Sequence, residues 1–474
     1  MEKTKILMVS AEAEPFAKTG GLGDVVGSLP KALNSINMVC RVIMPLYGQI
    51  ANEYKEKMKN IGYIYVDLGW RHQYCGVFSL SYQGVLFYFI DNEYYYNREK
   101  IYDELELEKF AFLSKAAFEV AKYVNYKPNI LHIHDWHTGA MAALLNDVYC
   151  HDEFFNNCKC VYTIHNLAYQ GIFDKKRVFD LLPLNQAKYE NTSTINFMAL
   201  GIIYAHKVNT VSPTYAKEIL TDQYGEGLNY LLQHEKNKLS GILNGIDKRI
   251  YHSLNDPFIV HPFELSDFEN GKRLNKQSLF QEVGFNESEI NKPLISIISR
   301  LASQKGMDLV LKIMNDLLNL DVKVVLLGSG DMQMETAFKD FANRYPEKFK
   351  AYLKFDNVLA HKIYAASDLF LMPSAFEPCG LAQMICLQYA TLPLVRSCGG
   401  LKDSIEPFNE YTLQGNGFSF DNYSAHDFFQ TILYALSVYS RKELWNTLIK
   451  NGFYYDFSWK QSAYQYKELY EDIK

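Results

Sequence analysis

Two stretches of this chain combine positive charge with little side-chain bulk, and a third adds a carboxylate. The first is "KTGGLGDVVGSLPKAL" (Lys18–Leu33), which follows the apolar run "KILMVS". Glycines let backbone approach a ligand and adopt positive φ. A helix that follows them aims its N–H groups and positive dipole end at the turn, which suits an anion. Lys18 adds a point charge. The stretch lacks the Gly-Lys-Ser/Thr of a Walker loop, and Val26 stands where a dinucleotide fingerprint has Gly or Ala. Pro30 predicts a helix that starts late or kinks. A plain tight turn is the other reading. The second stretch, "SRLASQKG" (Ser299–Gly306), follows the strand-like "LISIIS". Arg300 and Lys305 fall at that strand's carboxyl end, where open α/β sheets bind ligands, and two cations there suit a pyrophosphate. Otherwise they are two solvated loop charges. In the third, "PSAFEPCGLAQ" (Pro373–Gln383), Glu377 precedes Gly380 and a helical run. Such a carboxylate grips hydroxyls, stabilises positive charge at a reacting carbon, or merely caps the helix.

"HIHDWH" (His132–His137) invites a metal reading. The pattern H-x-H-x-D-H puts its acid where Trp136 stands, and Asp135 comes one residue early. A polar cluster with an aromatic ring at a strand end suits a sugar better. "TIHNLAYQG" (Thr163–Gly171) places His165 and Asn166 just past another strand. A lone histidine there is usually structural. There is no D-x-D pair, which nucleotide-sugar enzymes of another fold use to hold a metal.

The elements that must position these residues are legible as a rhythm. Apolar runs such as "VCRVIMP", "NILHIH" and "KCVYTIH", then "PLISIIS", "VKVVLLG", "LFLMP" and "LPLVRS", alternate with helical-period segments. In "MDLVLKIMNDLLNL" (Met307–Leu320), Leu309, Val310, Ile313, Met314, Leu317 and Leu318 follow i, i+3, i+4 spacing. Strands alternating with helices read as βαβ units and parallel sheet. The pattern occurs twice, separated by a polar region, Asp247–Lys292, that reads as a linker. The expected fold is α/β, with two doubly wound Rossmann-like domains, 1–247 and 248–474, facing a cleft. "GGLGD" (Gly20–Asp24) is echoed by "GGLKD" (Gly399–Asp403) in the second half, which predicts similar turns.

The chain has 474 residues, enough for two or three domains, and a formal net charge of −6 without a long basic run. That argues against a nucleic-acid partner. No apolar stretch is long enough for a membrane span. The N-terminus does not read as a targeting peptide, and the eight cysteines form no CxxC pair. A reduced, cytoplasmic setting is expected. Aromatics reach 15%, with 35 tyrosines, which sugar-binding proteins also show, but AT-rich codons are the stronger explanation.

Seven stretches now stand in order and spacing: "KTGGLGDVVGSLPKAL", "HIHDWH", "TIHNLAYQG", "LNGID", "SRLASQKG", "FEPCGLAQ" and "LPLVRSCGGL". Together they resemble, over nearly the whole chain, the bacterial and plant glycogen and starch synthases that use ADP-glucose. The resemblance implies the GT-B glycosyltransferase architecture, with a last helix (Trp459–Lys474) crossing back to the N-terminal domain. It implies Arg300 and Lys305 on the diphosphate, with Lys18, Gly21 and Asp24 near the nucleotide and donor phosphate. His165 and Glu377 meet the transferred glucose; Asp135, Trp136 and Asn166 line the sugar side. Asn244 lies at the domain crossover on the donor side, and Cys379, Gly380 and Leu381 edge the glucose pocket. Phe355 stands where a tyrosine usually stacks on adenine, between the strand-like "KAYLK" and a helical segment; a core phenylalanine is the alternative. Ala382 replaces a hydroxyl residue, so one bond to phosphate is missing. Ile385 stands where the wider fold often has a second Glu, as this family generally does. The implied reaction is retaining glucosyl transfer from ADP-glucose to the non-reducing 4-OH of glycogen or another α-1,4-glucan. No cofactor or metal is implied, because fixed cations take a metal's place. A donor gripped from both halves implies a cleft that shuts and excludes water. A transferase with a small acceptor would share the donor motifs. A silent glucan-binding protein is expected to have lost Glu377, Lys305 or Arg300, and all are present. The failed fingerprint disfavours a dinucleotide oxidoreductase.

Overall fold

A strand such as Ile130–His134 has no exposed-type residue to turn outward. Helix-covered parallel sheets bury such strands on both faces. In the computed structural model, which describes residues 3–474, this strand is buried along its whole length. The chain divides into two compact units, Met1–Asn244 with Trp459–Lys474, and Gly245–Ser458. The sequence placed the division after Asp247.

The first unit holds a nine-stranded sheet. Its order is Leu239–Gly241, Lys207–Thr210, Lys159–Ile164, Ile130–His134, Lys5–Val9, Val39–Pro45, Val85–Asp91, Arg71–Tyr82, Lys59–Leu68. All neighbours are parallel as far as Val85–Asp91; the last two strands add an antiparallel hairpin. The second unit holds six parallel strands. They run Phe349–Tyr352, Lys323–Leu327, Leu294–Ile298, Leu369–Met372, Leu392–Arg396, Phe418–Phe420.

The parallel strands of each sheet reverse their order once. In the first unit this occurs between Lys5–Val9 and Ile130–His134; in the second, between Leu294–Ile298 and Leu369–Met372. Doubly wound sheets bind ligands outside the carboxyl ends of strands at that reversal. The segments leaving those ends begin at Ser10, Asp135, Ser299 and Pro373. They contain the glycine turn, Asp135 to His137, Arg300 with Lys305, and Glu377, while His165 and Asn166 leave the neighbouring strand Lys159–Ile164.

Several local expectations need correction. The helix opened by Gly21 runs to Ser35, so Pro30 neither delays nor ends it. Pro30 forfeits one backbone bond, and the buried stripe of Leu22, Val26, Leu29 and Leu33 carries the helix through. The polar region expected as a linker contains a helix, Phe268–Val283, closed by Gly284 in the left-handed conformation. Its period was hidden because buried positions carry polar residues. Lys272 donates to Thr391 Oγ1 at 2.6 Å and to the Ser367 carbonyl, and burial pulls its pKa down to about 7. The last helix, Trp459–Glu471, belongs to the first unit and packs on helix Gly21–Ser35. Ser462 there donates to the Leu243 carbonyl at 2.7 Å.

Candidate active site

At the first unit's glycine turn, a Cβ built on Gly20 or Gly21 meets nothing within 4 Å. The space before this helix is therefore open, and no side chain caps its N-terminus. That leaves first-turn N–H groups facing an approachable surface. Lys18 donates to Asp24 Oδ1 at 2.6 Å and lies 3.8 Å from Glu14 Oε2. The acid in the motif is the lysine's own partner. Burial lifts the Asp24 carboxyl above its ordinary pKa, against the pull of Lys18. Gly27 serves packing instead, since a Cβ there would sit 2.6 Å from the Glu14 carbonyl.

Glu12 holds this loop in place, and sequence reasoning did not single it out. Its buried carboxylate accepts from Thr19 N at 2.5 Å, Thr19 Oγ1 at 2.7 Å, Gly20 N at 3.4 Å and the Tyr102 hydroxyl. Such donors make a buried carboxylate tolerable. The signal was a pair of acids, Glu12 and Glu14, among small and apolar residues just after a strand, "VSAEAEPF".

The histidine stretches meet on adjacent strands. His134 Nδ1 lies 3.0 Å from His165 Nε2. Tyr470 donates to His132 Nδ1 at 2.8 Å, His132 Nε2 donates to Thr163 Oγ1 at 2.7 Å, and Thr163 donates to Asn209 Oδ1 at 2.5 Å. That chain of donors fits a neutral His132. Burial depresses His132, His137 and His165 to about 3, and holds His134 well below the ordinary imidazole value. No group of three or more metal-ligating side chains is found among the described residues.

Asp135 takes a left-handed backbone, φ 52°, at the junction of strand and helix. Its Oδ1 accepts from His165 N at 2.7 Å and Asn166 N at 3.4 Å, so the carboxylate shapes the His165–Asn166 turn. Burial raises its pKa to about 7 despite those donors. Asn166 accepts from Ala168 N at 3.1 Å and is half-buried. Trp136 is only 5% exposed, packed by Phe110, His137 and Phe173. A Cβ at Gly171 would come 2.3 Å from its ring. The ring is core in this structure and does not line an open surface. Asn244 is buried, and its Oδ1 takes no hydrogen bond among the described residues.

In the second unit Lys305 donates to Glu377 Oε2 at 2.6 Å, and Ser374 adds a bond to the same oxygen at 3.2 Å. Arg300 is exposed, and among the described residues its guanidinium donates to Gln304 Oε1 at 3.4 Å. Close backbone packing shapes this region. A Cβ at Gly306 (φ 73°) would meet the Pro373 carbonyl at 2.0 Å, and one at Gly399 the Glu377 carbonyl at 2.0 Å. Arg396 ties down the Ser374 and Ala375 carbonyls. The sequence reading quoted it but gave it no role; an arginine closing the apolar run "LPLVR" was its signal. Cys379 is buried, Gly380 has φ 73°, and Leu381 and Ala382 are half-buried at the start of helix Ala382–Leu387. Phe355 is 91% exposed between strand Phe349–Tyr352 and helix Asn357–Ala366, so it is not a core residue.

Residues 5–234 match the family model described as starch synthase catalytic domain, and residues 280–453 match glycosyl transferases group 1. A glycogen synthase of Desulforamulus reducens is 44% identical over 99% of this chain and 98% of its own length. One from Streptococcus uberis is 44% identical over 99% of both. The solved catalytic domain of starch synthase IV from Arabidopsis thaliana, bound to ADP and acarbose, superposes with TM-score 0.92 at 32% identity. That match covers 100% of this chain and 99% of the other. A sucrose-phosphate synthase from Thermosynechococcus elongatus, at 16% identity and TM-score 0.62, shares the fold. With such identity along its full length, and with glycosyltransferase models matching both halves, the chain belongs to the glycogen and starch synthase family and is a glycosyltransferase.

Proposed function

We propose that the chain transfers glucose from ADP-glucose to the non-reducing 4-OH of an α-1,4-glucan such as glycogen, with retention of configuration. The observation that carries this reading is the Lys305–Glu377 pair at 2.6 Å beside the strand reversal of the second sheet. The starch synthase relative captured with ADP and acarbose supports the choice of donor and acceptor.

On this reading an arriving diphosphate takes over Lys305, and Arg300 swings to join it. Glu377 then loses its partner and stands ready to stabilise positive charge on the anomeric carbon. Cations aimed at a developing diphosphate charge lower the barrier electrostatically. The turn at Gly21, with Lys18 and Asp24, meets the donor phosphate. His165 and Asn166, shaped by Asp135, meet the sugar, with Trp136 packed behind. Asn244, Cys379, Gly380 and Leu381 border the donor. Phe355 offers its ring to adenine. Lys305 and Arg300 supply the charge a metal would bring, so turnover needs no metal and no cofactor. No helix among the described residues is long and apolar enough to cross a membrane, and we place the enzyme in the cytoplasm.

The purified chain, given glycogen and either ADP-glucose or UDP-glucose, should release ADP and lengthen the glucan, with or without EDTA. Transfer from UDP-glucose alone would overturn the donor assignment. Activity lost to EDTA and restored by magnesium would overturn metal independence.

A further inference from the structure

Two neutral imidazoles that share one hydrogen bond cannot both donate, so His134 and His165 hold a choice that their surroundings must settle. His134 ends strand Ile130–His134 and is fully buried; His165 follows strand Lys159–Ile164 and is 8% exposed. His134 Nδ1 lies 3.0 Å from His165 Nε2. Burial disfavours the charged form of both rings, so each carries a single ring proton at neutral pH. Their other nitrogens differ. His134 Nε2 is sealed in and has no hydrogen-bond partner among the described residues. The ring of His132, 4.3 Å away, cannot supply one, because its two nitrogens are taken by Tyr470 and Thr163. His165 Nδ1 is not sealed in this way. If His165 donated, His134 would carry its proton on Nε2, as a buried N–H with no acceptor. If His134 donates, only a lone pair is left there. Orphaned N–H groups are the rarer of the two in protein interiors. The turn beneath His165 is fixed separately, since Asp135 Oδ1 accepts from His165 N at 2.7 Å. Backbone and ring are thus held at two points, and Nδ1 is the ring nitrogen left to face outward.

We propose that His134 is a positioning residue for the transfer reaction: it donates Nδ1–H to His165 Nε2 and so fixes His165 as the tautomer that presents Nδ1–H to a hydroxyl oxygen of the bound sugar. This rests on the reading above that His165 meets the sugar. The hydrogen bond at one ring nitrogen decides what the other nitrogen carries. A ring N–H gives the sugar one donor of fixed direction and leaves that hydroxyl's own proton for a second acceptor; a bare nitrogen in its place would demand the proton instead. A donor set before the sugar arrives costs no reorganisation at the moment of reaction. Without His134 the ring would turn and exchange its proton between nitrogens, and only part of the population would be competent.

His134→Phe keeps a ring and removes the donor. Assayed below the melting temperature of each protein, its kcat with ADP-glucose and glycogen should fall about tenfold, the scale of one net hydrogen bond. KM for ADP-glucose should move less. His134→Asn puts an amide N–H where Nδ1–H stood and should recover most of the turnover. Nitrogen-15 correlation spectra of histidine-labelled protein read the tautomer directly. The His165 signals, identified by their loss in His165→Asn, should show the proton on Nδ1 in the wild type and on either nitrogen in His134→Phe. A wild-type proton on Nε2 overturns the assignment. So does an unchanged kcat in His134→Phe, or an Asn variant as slow as the Phe variant, which leaves His134 only a packing role. A wild type that turns over no ADP-glucose fails the functional reading instead; in that case, or if His134→Phe does not fold, the wild-type spectrum still decides the tautomer.

Discussion

In the first unit, His132, His134, His165 and Asp135 are buried and bonded to neighbouring strands and turns, and Glu12 spends its carboxylate on its own loop. In the second, Arg300 is exposed with one long contact, Lys305 is held by a single carboxylate, and Phe355 stands almost free of the surface. The same kinds of residue are thus used in two ways. The first site is pre-set, its groups locked by partners that a ligand need not displace. The second is held by fewer contacts, and on the function proposed above its charges change partner when a ligand arrives. Substitutions should therefore register mainly as lost stability in the first unit and as lost turnover in the second.

Trp136 gives the largest expected effect. It was read from sequence as a sugar-side ring, yet it packs against Phe110, His137 and Phe173. Trp136→Ala should cost about 3–5 kcal/mol of folding stability, the range for emptying an aromatic core position. Urea unfolding measures it. A normal midpoint with weakened glucan affinity would return Trp136 to the ligand and break the contrast.

Next come the charges of the second unit. Arg300→Ala should lower kcat by roughly 10²–10³, about 2.7–4 kcal/mol, and leave the melting temperature alone. Lys305→Ala should lower kcat similarly, but it also strips Glu377 of its ion-pair partner and should lower the melting temperature. Adding Glu377→Gln to Lys305→Ala should recover the melting temperature and not the activity. Effects confined to KM would mean that these cations bind the ground state only.

The contrast also marks what the sequence could disclose. Apolar runs announced the parallel strands, because burial on both faces leaves few polar positions, and those, such as His132, Thr163 and Asn209, are bonded to one another. Arg300, Lys305 and Glu377 were readable because short loops after strands at the reversal have little choice of location. Long-range packing decided the rest. "GGLGD" and "GGLKD" look alike, but Gly20 and Gly21 face open space while Gly399 and Gly400 are pressed against the backbone of Glu377 and Cys379. No local pattern separates those cases. Glu12 and Arg396 act on loops remote in sequence or folded back, so their roles needed coordinates. Helix Phe268–Val283 was concealed by Lys272, Asn275 and Lys276, polar residues that are buried and bonded.

Phe355 sharpens the comparison from the other side. It is the aromatic counterpart of Trp136 with the opposite surroundings. Phe355→Ala should weaken ADP binding by about 1–3 kcal/mol, the worth of one base–aromatic stack. The melting temperature should not move, because an exposed ring contributes little packing. Calorimetric titration beside a melting curve separates the two. Unchanged ADP affinity would reject the ring as a base platform.

The smallest effect per group concerns acid, and here the two units should part. His132, His137 and His165 titrate near 3 in the folded chain because burial disfavours their charged form, against 6.5 when free. The unfolded chain therefore binds more protons below pH 6.5, and stability falls as pH falls. One pH unit below the free value, each such histidine costs about 1.4 kcal/mol. Asp135 has the opposite sign. Its folded pKa of about 7 exceeds the free 3.8, so the folded chain holds its proton longer and gains stability on acidification. That offsets roughly one histidine. In the second unit, Lys272 is depressed from 10.5 to about 7, so most of its cost is already present at neutral pH and its slope vanishes within about one unit below it. Acid should thus loosen the first unit before the second. Hydrogen exchange at pH 7.5 and 5.5 should show Ile130–His134 and Lys159–Ile164 losing protection ahead of Leu294–Ile298 and Lys323–Leu327. Asp135→Asn keeps an acceptor for His165 N but removes the offset, so its acid loss should steepen by about 1.4 kcal/mol per pH unit between pH 5 and 6.5. Equal loss in both units, or an unaltered slope in Asp135→Asn, would mean that the buried histidines of the first unit do not set its response to acid.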